Sequence, residues 1–145
     1  MKKVLLIIDD DPVITAVYEK HFKNAGFEVR LAGDGETGLS AVREFRPDVV
    51  LLDLSMPKLN GVQWLKEVRG DARFASLPVV VFTAGTVGWQ VLAANNSDVT
   101  FILSKERAAP REVVDAVTSA LTTGDGKINA GNWHISQWGH SGKQT

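Results

Sequence analysis

Short uninterrupted apolar runs alternate along this chain with longer segments whose apolar residues recur every three or four positions. The first kind reads as buried strand, the second as amphipathic helix. Residues 4–8 (VLLII), 49–52 (VVLL) and 79–82 (VVVF) are wholly apolar, as expected of strands covered on both faces. Residues 27–31 behave differently: Phe27, Val29 and Leu31 alternate with Glu28 and Arg30, the pattern of a half-exposed edge strand. A fifth strand is predicted over 99–103. Between these runs lie the helices. Asp11 caps the first and Pro12 starts it; its stripe is Ile14, Val17, Tyr18, Phe22 and Ala25, and Gly26 ends it. Asp34 caps a second helix carrying Leu39, Val42 and Phe45, stopped before Pro47. After a loop over 57–61, a third buries Val62, Leu65 and Val68. A fourth is predicted over 87–95. The last opens at Pro110, carries Val113, Val114, Val117 and Leu121, and closes at Gly124.

Strand and helix alternate five times, which predicts an α/β fold with a doubly wound, five-stranded parallel sheet and helices on both faces. The alternating second strand suits an edge, and the all-apolar first, third and fourth suit the centre. That favours the flavodoxin-like order 2-1-3-4-5 over a Rossmann order. One domain is expected over 1–124. Residues 125–145 are glycine-rich and polar yet hold Trp133, Ile135 and Trp138, and read as a tail too short for its own core.

Composition narrows the classes without choosing among them. The 145 residues carry a formal net charge of -1, so no global basic field favours nucleic acid or an anionic membrane. The chain has no cysteine, which excludes disulfides, thiolate catalysis and cysteine-held metals. Two lysines precede the first apolar run, but three aspartates follow it at once, against a secretory leader. No apolar stretch approaches the roughly 18 residues of a membrane span. A soluble, cytoplasmic protein is expected.

In such a sheet, ligands bind beyond the carboxyl ends of the central strands. Asp9, Asp10 and Asp11 follow the first strand, Asp53 the third, Thr83 the fourth and Lys105 the fifth. The topology therefore gathers carboxylates, a hydroxyl and an ammonium at one end of the sheet. Crowded carboxylates repel, and a cation relieves them. An all-oxygen donor set without histidine or cysteine suits a hard ion. Mg2+ is preferred because it keeps waters and also takes phosphate oxygens. An aspartate held there can attack phosphorus and form an acyl phosphate, with cations and hydroxyl neutralising the transferring oxygens. Asp11, before Pro12, reads as a helix cap only. Gly33 and Gly35 follow an edge strand and read as a turn, not a phosphate loop.

These residues resemble the receiver domains of two-component response regulators. The resemblance covers about residues 3 to 121. It rests on Asp9-Asp10, on Asp53-Leu54-Ser55-Met56-Pro57 followed by Gly61, on Thr83-Ala84 and on Lys105. It implies a signalling switch, not a true enzyme. Asp53 would accept a phosphoryl group from a histidine kinase, a histidine phosphotransfer protein or a small donor. Mg2+ would be held by Asp10, Asp53 and the Ser55 carbonyl, with Asp9 acting through water. Lys105 would pair with the phosphoryl group, and Thr83 would hydrogen-bond to it. Output would pass through protein contacts or a phosphorelay to an unidentified downstream protein, because residues 122–145 cannot supply a DNA-binding domain.

The chain departs from the family in its readout. The family's proline after the lysine is Glu106 here, and its tyrosine or phenylalanine three residues before the lysine is Ile102. Residues 86–97 carry no charged side chain, where dimerising members use charge pairs, and they offer Trp89 instead. Ser55 and Gly85 stand where the family tunes dephosphorylation, and neither can orient a water. Trp133 and Trp138 leave open self-packing, a homodimer or disorder; His134 and His140 alone make a poor metal site. The departures keep alive a degenerate receiver that acts as a binding module. A phosphatase of the haloacid dehalogenase type is disfavoured, because it places a second aspartate where Ser55 stands.

Overall fold

The computed structural model describes residues 2–84, 98–123 and 128–129. The helix predicted over 87–95, Gly85, Trp89 and the tail residues Trp133, His134, Trp138 and His140 lie outside them. The main sheet has five parallel strands, β1 (Val4–Ile8), β2 (Glu28–Ala32), β3 (Val49–Leu52), β4 (Val79–Thr83) and β5 (Phe101–Ser104), in the order β2-β1-β3-β4-β5. The described helices are α1 (Pro12–Asn24), α2 (Gly35–Phe45), α3 (Gly61–Arg69) and α4 (Pro110–Thr123), with a 3-10 turn at Ala72–Phe74.

Strand periodicity splits the apolar runs between two cores. Leu6, Ile8, Val50, Leu52, Val79, Val81 and Ile102 face one side, where Val42, Trp64, Leu65 and Val68 of α2 and α3 cover them. Leu5, Ile7, Val49, Leu51, Val80, Phe82 and Leu103 face the other, under Tyr18, Phe22, Val113 and Val117 of α1 and α4. Covering both faces is what makes β1, β3 and β4 apolar at every position.

The predicted signals at Asp11, Pro12, Asp34 and Gly26 operate as read, while Gly124, expected to close the last helix, lies outside the described residues. The Asp11 carboxylate accepts from the N–H groups of Val13 and Ile14, and Pro12 is the first helical residue. Asp34 and Thr37 form a reciprocal capping box, as do Asn60 and Gln63 at the start of α3. Gly26, at φ +97°, turns the chain out of α1 into β2.

Three expectations are corrected. Val17, placed in the buried stripe of α1, is 43% exposed: Tyr18 and Phe22 carry the packing, while Val13 and Val17 form the next ridge toward water. Leu31 is exposed, and Ala32 is the buried residue that closes β2. The fifth strand begins at Phe101, not at 99. The backbone bends at Thr100, whose N–H donates to the Val79 carbonyl, and Val99 pairs instead with Ile128 in a short antiparallel ladder.

Candidate functional site

β1 and β3 are adjacent, and each is followed at its carboxyl end by an aspartate. The Asp9 N–H donates to the Ala32 carbonyl at 3.0 Å and the Asp53 N–H to the Ile8 carbonyl at 2.9 Å, so sheet hydrogen bonds fix both backbones. The carboxylates of Asp9 and Asp53 are 4% and 5% exposed, whereas Asp10 is on the surface. One oxygen from each of Asp9, Asp10 and Asp53 lies within 4.8 Å of the others.

Both oxygens of Asp9 and both of Asp53 have partners. Asp9 Oδ1 accepts from the Asp11 N–H at 2.9 Å, while Asp9 Oδ2 lies 2.8 Å from Lys105 Nζ. Asp53 Oδ1 accepts at 3.3 Å from the Ser55 N–H and at 3.3 Å from the Thr83 hydroxyl; Asp53 Oδ2 lies 3.5 Å from Lys105 Nζ. The structure thus brings Asp9, Asp10, Asp53, Thr83 and Lys105 into one cluster, as the sequence predicts. Ser55 joins it through its peptide, with its side chain in solvent. The Asp11 carboxylate is the helix cap, and Asp11 touches the cluster only through its peptide N–H on Asp9. Gly35 packs against the Leu59 backbone as the first residue of α2, far from any phosphate-loop role.

Electrostatics follow from burial. Burial pushes the Asp53 carboxyl above the usual carboxylate range; the Lys105 charge opposes this and the Asp9 charge adds to it. For Lys105, burial favours the neutral amine, but the hydrogen bond to Asp9 and the charges of Asp53 and Asp9 outweigh it and raise its proton affinity. A single ammonium therefore serves two buried carboxylates, with Asp10 adding a third negative charge. The donor chemistry fits a hard divalent cation: three carboxylate oxygens in mutual reach, no nitrogen or sulfur, and an excess of negative charge.

Phe82 and Ser104 escaped the sequence reading, and Gly61 and Glu106 entered it only through the family pattern, with no contact assigned. The Phe82 ring lies beneath Lys105 Nζ at 5.9 Å and meets Tyr18 edge-on at 5.1 Å, so it walls the ammonium on the α1 side. Gly61 packs so closely on the loop after β3 that an added Cβ would stand 2.5 Å from the Asp53 carbonyl oxygen. Ser104 and Glu106 bond each other across Lys105. A serine two residues before a glutamate at a strand end was the available signal for the last.

Comparison with known proteins agrees with this geometry. The sequence pattern described as the response regulator receiver domain matches residues 5–118. The DNA-binding response regulator MtrA of Mycolicibacterium smegmatis is 35% identical over 121 residues, covering 83% of this chain and 51% of that protein. The chain thus spans about half the length of that relative. Among solved structures, a putative response regulator from Chloroflexus aurantiacus superposes with a TM-score of 0.77 at 30% identity, covering 84% of this chain and 99% of that one. The receiver domain of the sensor histidine kinase PA1611 from Pseudomonas aeruginosa, solved with a magnesium ion coordinated in its active site cleft, superposes at 0.76 with 21% identity, covering 84% and 99%. The last likeness speaks to the fold alone.

Proposed function

Because the chain belongs to the response regulator receiver domain family, we propose that it is a phosphorylation-activated switch whose phosphoacceptor is Asp53. The carrying observation is the placement of the Asp53 carboxylate: almost buried at the end of β3, with Thr83 on one oxygen and Lys105 near the other. Asp53 would attack the phosphorus of a phosphohistidine on a histidine kinase or phosphotransfer protein. The new bond joins an Asp53 oxygen to phosphorus; the P–N bond breaks, and the imidazole nitrogen keeps the electron pair and takes a proton. The product is a mixed anhydride on Asp53.

The remaining groups act by position. Lys105, already protonated and anchored on Asp9, offers its ammonium to the phosphoryl oxygens as they approach Asp53. Thr83 gives up its 3.3 Å bond to Asp53 and donates to a phosphoryl oxygen. Asp9, Asp10, Asp53 and the Ser55 carbonyl are the residues that would hold Mg2+. When bound, the ion would neutralise the carboxylates and share the charge of the incoming phosphoryl group. The autophosphorylating chemistry is the chain's own, and the switch acts on no other substrate.

Output is proposed to run through protein contacts or onward phosphotransfer. MtrA is a DNA-binding response regulator, and this chain, whose receiver match spans residues 5–118, covers about half of it.

The test is intact mass after incubation with Mg2+ and acetyl phosphate, or with a phosphorylated kinase. One added phosphoryl group that is absent in Asp53→Asn supports the proposal. No addition from any donor would instead favour a receiver that serves only as a binding module.

A further inference from the structure

Lys105 must hold its ammonium at two carboxylates while the chain reverses out of β5 beneath it. Its N–H donates to the Thr83 carbonyl at 2.9 Å, which ties it to the end of β4. The reversal that follows converges on one residue, Ser104. The Ser104 carbonyl accepts from the N–H groups of Arg107 at 3.2 Å and Ala108 at 2.9 Å. Its hydroxyl accepts from the Glu106 N–H at 3.2 Å and donates to Glu106 Oε1 at 3.0 Å. Ser104 is buried and Glu106 is exposed, so the glutamate folds back over the turn from the solvent side. Lys105 is enclosed between the two.

We propose that Glu106 is a positioning residue for Lys105: with Ser104 it closes the turn that carries the ammonium to Asp9 and Asp53. A serine hydroxyl satisfied at both its donor and acceptor ends has one orientation, and the glutamate is the group that satisfies both. Without the Glu106 carboxylate the hydroxyl rotates free and its hold on the Glu106 N–H weakens. The backbone on the carboxyl side of Lys105 then leans on the Ser104 carbonyl, which accepts from Arg107 and Ala108. The contact at stake is the 3.5 Å approach of Nζ to Asp53, already the longer of the lysine's two. A side chain that must meet a reacting group within a fraction of an ångström loses rate steeply when its base is loosened. The carboxylate's charge is not what the device uses; its oxygen as acceptor is.

The proposal rests on phosphorylation at Asp53, and its test separates the two. Glu106→Ala, Glu106→Gln and Ser104→Ala are compared with the wild-type chain in three measurements. The first is amide hydrogen exchange at Lys105 and Glu106, which needs no phosphorylation. The second is the rate of Asp53 phosphorylation at saturating acetyl phosphate and Mg2+, and the third is the affinity for Mg2+. Glu106→Ala and Ser104→Ala should both speed exchange at these amides. Both should slow phosphorylation by roughly tenfold, the scale of a misplaced catalytic group, with Mg2+ affinity unchanged. Glu106→Gln, which keeps the acceptor oxygen and loses the charge, should behave as the wild type in all three. A Glu106→Ala rate within about twofold of wild type, or a Glu106→Gln rate as slow as that of Glu106→Ala, overturns the proposal. A wild-type chain that takes no phosphoryl group would strike the reading of Asp53 instead; exchange alone then decides whether Glu106 holds the turn.

Discussion

Lys105 is bound more closely to Asp9 than to the proposed phosphoacceptor: its Nζ stands 2.8 Å from Asp9 Oδ2. Asp9 thus parks the ammonium beside Asp53 without neutralising it, and the pair forms the electrostatic keystone of the carboxyl end of the sheet. Replacing the lysine should leave two buried carboxylates facing each other. Lys105→Met is expected to destabilise the chelator-treated protein by about 2 kcal/mol, somewhat below the cost of breaking a fully buried pair because water reaches the ammonium. Saturating Mg2+ should narrow the gap by supplying another cation. Urea unfolding in EDTA and in Mg2+ measures both; a variant as stable as wild type in EDTA would refute the assignment of the pair.

Asp53 should carry the opposite cost. Burial raises its proton affinity in the folded chain, with Asp9 adding to the effect. The folded state then binds the proton more tightly than the unfolded chain does. That contribution is present in full at low pH. It is lost as pH rises from the unfolded value, about 3.9, through the higher folded one. At pH 7 in EDTA, Asp53→Asn should therefore be more stable than wild type by about 1 kcal/mol, a typical size for one substitution. The difference should shrink as pH falls through the raised folded value and be gone below the unfolded one. Urea midpoints across that range test the sign; a wild type more stable than the variant at pH 7 without metal would contradict it.

Gly61 sets the height of the loop that follows Asp53. A Cβ there would meet the Asp53 carbonyl oxygen at 2.5 Å and Leu54 Cα at 2.7 Å, both backbone atoms that cannot rotate away. Gly61→Ala should cost about 2 kcal/mol, as overpacking does, and should weaken Mg2+ binding because the Ser55 peptide shifts with the loop. Calorimetric melting and Mg2+ titration check the two effects together; unchanged values in both would rule the close approach out.

Among the described residues Trp64 is the largest fully buried side chain, and its indole N–H has no hydrogen-bond partner there. Two substitutions should part company there. Trp64→Ala should lose about 4 kcal/mol to the cavity. Trp64→Phe removes the unpaired donor along with some volume, so the two effects offset and the change should stay within about 1 kcal/mol. A Trp64→Phe loss well above about 1 kcal/mol, with nothing to offset the lost volume, would show that the unpaired N–H carries little cost.

Most of the site was legible because its chemistry sits at strand ends, where pattern and topology both fix a residue's place. An apolar run that stops at Asp9 or Asp53 says where the carboxylate must be, and adjacency of β1 and β3 does the rest. What escaped depends on side-chain direction. Helical spacing cannot tell Val17 from Tyr18 as neighbours on one stripe; the larger ring takes the interior, and the β-branched residue turns to water. Trp64 lies outside the apolar spacing of Val62, Leu65 and Val68, yet it packs against Ile8 and α2. The Ser104–Glu106 turn was hidden because Glu106 stood out only as a replacement for the family's proline and Ser104 did not stand out at all. Only the bend of the chain at Lys105 brings the hydroxyl and carboxylate together.

The short ladder between Val99 and Ile128 has a geometric corollary. Thr100 is tied to Val79, the first residue of β4, so the ladder lies at the amino end of the sheet. Asp53, Thr83 and Lys105 lie at the other end, roughly 13 Å away along the strands by strand rise. The ladder and the cluster of Asp53, Thr83 and Lys105 therefore occupy opposite ends of the main sheet. A partner that meets the ladder and a donor that meets Asp53, the proposed phosphoacceptor, need not compete for space.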